Sequence, residues 1–324
     1  MNRRGKQTCV LFGLSLVAVS RGAIAGDSTR VEFDRQPDRV RILVGGRPLA
    51  TYVYKDEKIP RPYFCSVFAP GGIPVTRNHP PIEGKDPTDH PTYHPGIWMA
   101  FGDLSGADYW RNKAKVLHEG FQEEPRGGTG TGRFAVRNRY LAGDGDKEVV
   151  CTERCRFAIH VRPAGYFLIW DSLFAALDRA FWFGDQEEMG LGVRVATPIC
   201  VKAGGKILDS EGRVNQAQVW GNAAEWCDYN GLIDGKHVGV TLMPDPKNFR
   251  PSWFHARDYG LLLANPFGRQ AFKKGPASKV VVKPGQSFRL RYGVLLHASL
   301  PETPANLKAA YADFLDLLSK ASGE

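Results

Sequence analysis

From Val149 to Val161 the chain alternates. Val149, Cys151, Cys155, Phe157, Ile159 and Val161 fall on one side, and Glu148, Thr152, Arg154, Arg156 and His160 on the other; Glu153 is the one charged residue on the apolar side. That period belongs to a long antiparallel strand with one face in a core. Pro163-Ala-Gly165 turns it into a second apolar run, Tyr166 to Trp170. Earlier, Val40 to Val44, Gly45-Gly46 and Pro48 to Tyr54 read as a hairpin. Further strands fit Tyr63 to Phe68, Ala114 to His118, Met189 to Ala196, Val238 to Met243, Tyr259 to Leu263, Val280 to Val282 and Phe288 to Leu296. The run Gly127 to Gly132 is followed by neither a Gly-Lys-Ser/Thr signature nor a helical pattern, so it is a hairpin loop and not a phosphate loop. Residues 26–39 are polar and read as loose, and the segment 73–113, rich in proline and histidine, shows few strand signals.

A single convincing helix is predicted at the C-terminus, from about Ala305 to Ser319, with Thr303 as its cap, Pro304 at its first position, and Leu307, Tyr311, Phe314 and Leu318 as its apolar stripe. Many strands, Gly/Pro turns and almost no helix predict an all-β protein, a large antiparallel β-sandwich with one C-terminal helix. No repeat or linker divides the chain, so residues 26–324 read as a single domain.

Residues 1–25 read differently. Arg3, Arg4 and Lys6 precede an apolar run from Cys9 to Val19, and Ala23-Ile-Ala25 supplies small residues for cleavage. This order is that of a secretory signal peptide, and the run is too short to span a membrane. An exported protein, periplasmic or extracellular after cleavage, is the expectation. Cleavage would remove Arg3, Arg4, Lys6 and Arg21 and no acid, taking the net charge from +9 to +5. Without a Lys/Arg cluster along the sequence, that excess gives little reason to expect nucleic-acid binding. Five cysteines would remain (Cys65, Cys151, Cys155, Cys200, Cys227), an odd number that leaves at least one unpaired within the chain, with the pairing open. Cys151 and Cys155 on one strand would lie roughly 13 Å apart, beyond disulfide reach.

Candidate chemistry concentrates between His90 and Trp110. His90, His94, Asp103, Asp108, Trp98 and Trp110 are interleaved there with glycines and show no clean helical or strand period. Such a run reads as a ligand-binding loop on a rigid scaffold, or as a surface loop whose tryptophans plug the core. On the strand after Gln186, alternation groups Glu187 with Met189, Leu191 and Val193, and Glu188 with Gly190, Gly192 and Arg194. The second face sets a carboxylate and a guanidinium across an open glycine floor, a place for a ligand or for an ion pair within the sheet. Glu188, His94, His90 and His255 are the candidate catalytic groups, with histidine preferred as proton donor because imidazole titrates nearest to working pH. Arg194, Arg257, Asp258, Trp98, Asp103, Trp110, Trp220 and Asn222 are the candidate substrate-binding residues, since indole stacks on the apolar face of a sugar ring while polar side chains bond its hydroxyls. The other reading is that half of these tryptophans are core, the usual place of the residue. His79 also remains a candidate. No cofactor is predicted; His90 and His94 could join Glu188 or His255 around a metal, a minority reading for lack of a third spaced ligand.

Several phrases occur together: Arg61-Pro-Tyr-Phe64, Ala69 to Thr76, the His90 to Trp110 stretch, Glu187 to Arg194, Val219-Trp-Gly-Asn222, Trp253 to Gly260 and Asn265-Pro-Phe-Gly268. Together they resemble the DUF6807 family, long carried under the name PmoA, or methane oxygenase. Members often have His-His-Arg-Gly where this chain has Tyr93-His94-Pro95-Gly96, so a basic group is missing beside the second histidine. The resemblance implies a β-supersandwich of the galactose-mutarotase kind and hence a small saccharide or glycan as partner. A particulate monooxygenase subunit needs spanning helices, which residues 26–324 lack. Three functions follow as expectations: an exported carbohydrate-active enzyme moving protons with Glu and His (hydrolase, lyase or epimerase), a noncatalytic carbohydrate-binding protein, and, disfavoured, a metal-dependent oxygenase.

Overall fold

A computed structural model describes Met1 and residues 27–143 and 145–321, so the predicted signal peptide lies outside the described residues except for Met1. Two antiparallel eight-stranded sheets dominate it. The first runs, in spatial order, Val31–Arg35, Arg39–Val44, Arg47–Val53, Tyr63–Cys65, Ile97–Phe101, Met189–Arg194, Leu261–Asn265 and Trp253–Arg257. The second runs Lys206–Asp209, Cys227–Ile233, Lys236–Pro244, Ser287–Ser299, Gly165–Ala175, Glu148–Arg162, Thr131–Ala142 and Lys115–Gly127.

Alternation decides what lies between them. Met189, Leu191 and Val193 from the first sheet meet Phe157, Trp170 and Tyr292 from the second in one buried apolar cluster. The predicted pairing of Val149–Val161 with the run after Pro163 is present, with Phe157 opposite Trp170 and Ile159 opposite Leu168. Glu153, the exception on the apolar side, points inward and is 3% exposed. Its carboxylate accepts hydrogen bonds from Ser172 Oγ at 2.5 Å and Asn138 Nδ2 at 2.9 Å, which offset the cost of burying it. Burial still pushes its pKa upward. The sandwich is thus all-β, as the pattern of the sequence indicated.

Four expectations need correction. Residues 31–35 are not loose; Val31–Arg35 is an edge strand whose one-sided burial gave too short a signal. Ile97–Phe101 is a strand in the middle of the first sheet, and all five residues are buried, so it has no alternation to read. The strands Lys206–Asp209, Cys227–Ile233 and Trp253–Arg257 were likewise unanticipated: the first is only four residues long, and in the other two Asp228, Asn230 and His255, buried on the faces away from the core, obscure the apolar alternation. The C-terminal helix is Leu307–Ala321, and its cap is Asn306 rather than Thr303: Asn306 Oδ1 accepts the Ala309 amide at 3.0 Å.

That helix lies on the outer face of the second sheet, with Tyr311, Phe314, Leu317 and Leu318 against Phe167, Ile169, Met243 and Leu295. Gly293 permits the approach, since a Cβ there would sit 2.7 Å from the Phe314 ring. The five cysteines from Cys65 to Cys227 are all free and buried. No helix among the described residues is long and apolar enough to cross a membrane.

Candidate functional site

The outer face of the first sheet carries a cavity of about 180 Å³ lined by His90, Tyr93, His94, Trp110, Arg111, Glu188, His255, Arg257, Tyr259 and Leu261. Three separated parts of the chain meet here because their strands are neighbours: Ile97–Phe101 pairs with Met189–Arg194, which pairs with Leu261–Asn265, which pairs with Trp253–Arg257.

Two buried arginines hold the histidine segment in place. Arg77 is 2% exposed and donates to the carbonyls of Pro87, Asp89, His90 and His94. Arg61, 3% exposed, donates to the carbonyls of Tyr93, Tyr109 and Trp110 and to Asn112 Oδ1. Each guanidinium gathers several backbone carbonyls of the segment, so it is fixed without being regular secondary structure.

The rings stack inward from the mouth. His90, at 47% side-chain exposure, lies 4.7 Å from His94 at an interplanar angle of 23°, and His94 lies 5.1 Å from Trp98 at 14°. Trp110 meets the edges of both His94 and Trp98. Burial, reinforced by Arg194 and the other nearby cations, holds the His94 pKa well below its ordinary value, so the ring is neutral. On the far wall burial, helped by Arg257, lowers His255 to about 3. Both imidazoles therefore face the cavity uncharged at neutral pH.

The carboxylates are braced by arginines. Glu188 lies 3.0 Å from Arg111 Nη2, and Arg111 also bonds Asp108 at 3.2 Å. Glu187 accepts Arg257 Nη2 at 2.8 Å and lies 3.2 Å from His255 Nδ1. The second contact is not an ion pair, because His255 is neutral, and Nδ1 makes no hydrogen bond. Burial raises the Glu187 pKa, against the pull of Arg257.

Of the residues singled out from sequence, His90, His94, Trp110, Glu188, His255 and Arg257 share the cavity wall. Arg194 and Trp98 stand behind it. Both Arg194 terminal nitrogens bond Asp89, each at 2.8 Å, and its guanidinium lies 4.6 Å over the Tyr259 ring. The open glycine floor is not open: a Cβ on Gly192 would lie 3.1 Å from Trp98 Cζ2 and 3.4 Å from Trp110 Cη2, so the glycine makes room for the chain's own indoles. Glu187 does not follow Met189 into the core, because the strand begins only at Met189 and Asn265 Nδ2 holds the carbonyls of Gln186 and Glu187 in a turn before it.

Trp220 lies at the periphery, its ring 5.8 Å from the Arg257 guanidinium. Asp103, Asp258 and Asn222 are not in the wall. Asp103 accepts the Gly106 amide, Asp258 accepts the Gln216 amide, and Asn222 donates to the Gln218 carbonyl. His79 sits beside Tyr63, 3.3 Å from its hydroxyl. The reading of the sequence missed Arg111, Asp89 and Glu187. Arg111 and Asp89 flank the His90–Trp110 stretch by one residue at each end.

Asp89, His90 and His94 place ligand atoms within 4.8 Å of one another. Both Asp89 oxygens pair with Arg194, whose Nη1 also lies 3.4 Å from His94 Nδ1, so a guanidinium already supplies a positive charge at this cluster.

A family profile described as a family of unknown function, DUF6807, matches residues 39–312. No curated protein matches the chain. Among solved structures, the Slr1438 protein from Synechocystis is similar at 14% identity and a TM-score of 0.32, covering 89% of this chain and 100% of its own. A GalM/aldose epimerase homologue from C. elegans shares 9% identity at a TM-score of 0.31, over 82% of this chain and 99% of its own. A galactose mutarotase-like protein from Clostridium acetobutylicum shares 8% identity at 0.34, over 83% and 98%.

Proposed function

Starting from a chain that belongs to the DUF6807 family, a family of unknown function, we propose that its cavity binds one saccharide unit and moves a proton on it. The observation that carries this reading is the meeting of His94, His255 and Glu188 in one wall with Trp110, Tyr93 and Tyr259. A neutral imidazole can take a proton on its bare nitrogen or donate a hydrogen bond through its N–H, but held this far below working pH it is not the proton donor expected from the sequence; Glu188, in the same wall, is the other proton-transfer group. Aromatic faces next to paired charges suit a ring with an apolar face and a hydroxyl rim. The cavity, about 180 Å³, is smaller than the roughly 300–1,000 Å³ of drug-sized sites, which favours a single ring over an extended chain.

In this reading Glu188 and one of the buried histidines act on opposite sides of the reacting carbon, as in a hydrolase, lyase or epimerase. Arg111 and Arg257 orient the carboxylates. Export to the periplasm or beyond is part of the proposal, resting on the order of charge, apolar run and small residues in 1–25. A noncatalytic saccharide-binding role is the second reading, favoured by one feature: the arginines of the wall are already paired to Glu187 and Glu188.

The test is incubation of the purified protein with a panel of mono- and disaccharides and their oxidised and uronate forms, followed by NMR for turnover and by thermal shift for binding. Turnover lost in Glu188→Gln supports the enzyme. Binding without turnover supports the second reading, and neither result on any sugar refutes both.

A further inference from the structure

Arg194 is 1% exposed, and its two terminal nitrogens grip the two oxygens of Asp89 in a fork-to-fork pair at 2.8 Å each. That geometry fixes the plane of the guanidinium. Asp89 is itself anchored, since Oδ2 also meets His90 Nδ1 at 2.9 Å. Held this way, Arg194 Nη1 directs a second N–H at Nδ1 of His94, 3.4 Å away.

A guanidinium only donates. His94 Nδ1 must therefore accept, and an accepting ring nitrogen carries no proton. The ring has little freedom to exchange its two nitrogens, because His90 and Trp98 cover its faces at 4.7 and 5.1 Å and Trp110 abuts its edge. We propose that Asp89 and Arg194 are positioning residues that hold His94 as the tautomer protonated on Nε2, so that the cavity offers a fixed N–H donor to a carbonyl or ether oxygen of its ligand.

A neutral ring fits this role. An imidazolium at this position would set a second positive charge 3.4 Å from Arg194 in a buried place. The arrangement also explains why a buried arginine is kept under the site when it does not line it: its work is done through His94. The choice of a saccharide oxygen rests on the functional reading above, whereas the tautomer does not.

The experiment is a long-range ¹H–¹⁵N correlation of the imidazoles in the ligand-free, ¹⁵N-labelled protein, with His94 assigned by the signals lost in His94→Gln. The expected result is a bare, accepting Nδ1 and a protonated Nε2. In Arg194→Lys, whose single ammonium cannot make the forked pair, and in Asp89→Asn, the His94 signals should move toward a mixture of tautomers. A protonated Nδ1 in the wild type overturns the proposal, and so does an unchanged tautomer in both variants when they are folded. Should neither variant fold, the wild-type spectrum decides. An Nε2–H pattern in a protein that turns over and binds no sugar would refute the functional reading and leave this one standing.

Discussion

Glu187 Oε2 lies 3.2 Å from Nδ1 of His255, yet the two share no hydrogen bond: that oxygen is taken by Arg257 at 2.8 Å, and the buried Nδ1 has no partner. Burial first, and Arg257 second, set the His255 pKa at about 3. Unfolded histidine titrates near ~6.5. Between these values the unfolded chain binds more protons than the folded one, so this contribution to stability is complete above about pH 6.5 and is lost as pH falls toward 3. His118 and His160, each lowered to about 4, act in the same direction. Urea unfolding at several pH values between 7 and 4 should show a steep loss in the wild type and a shallower one in His255→Gln. Parallel curves would mean that His255 is not held neutral.

Glu188 has 28% side-chain exposure and pairs with Arg111 at 34%. A pair this open to water contributes roughly 0–1 kcal/mol. Glu188→Gln should therefore leave Tm nearly unchanged, while turnover on an active sugar falls by about 10²- to 10⁴-fold, the usual share of one general acid or base. A fall of many degrees in Tm would reassign Glu188 to a structural role.

Long periodic runs made the sandwich legible. Val149–Val161 and the run after Pro163 pair as their alternation requires. Ile97–Phe101 was illegible for a physical reason: a strand covered on one face by the core and on the other by the site's own indoles is apolar throughout and has no period. At the site, the His90–Trp110 stretch marked one wall, and Glu188, His255 and Arg257 were found on the others. Asp89 and Glu187 were missed because nothing local distinguishes them. Their importance comes from Arg194 and Arg257, which are 105 and 70 residues away in the chain. Asp103 and Asn222 misled for the converse reason, being polar residues near a motif that serve turns of the backbone.

The thiols give a prediction independent of the site. Burial pushes Cys65 and Cys200 up to about 11, and burial likewise raises Cys151, Cys155 and Cys227. Thiolate, the reactive form, is thus scarce and shielded. A thiol reagent at neutral pH should leave the native protein unlabelled and should modify these five cysteines in denaturant, with no effect of reductant on Tm. Rapid labelling of the folded protein would contradict the burial.

Export is tested by mass. Protein recovered from the periplasm of an expressing host should begin at Gly26. Full-length protein retained in the cytoplasm with residues 1–25 attached would count against a cleaved leader.

Gly192 links the sheet to the site most directly. A Cβ there would sit 3.1 Å from Trp98 Cζ2 and 3.4 Å from Trp110 Cη2, and both indoles are buried, at 0% and 2% exposure. Trp110 borders the cavity, but Trp98 is packed under His94 and must give by a few tenths of an ångström, so Gly192→Ala should cost about 1–3 kcal/mol by overpacking. The consequence should also reach the chemistry, because Trp98 backs His94 at 5.1 Å and cannot shift without moving that ring. Activity and the His94 imidazole signals should therefore change together with Tm. Trp98→Phe removes the atom that a new Cβ would meet. The double variant Gly192→Ala/Trp98→Phe should then be more stable than the sum of the two single losses by about 0.5–3 kcal/mol, the range for residues in direct contact. Strict additivity would show that the glycine is required by the backbone of the strand and not by the indole packed over it.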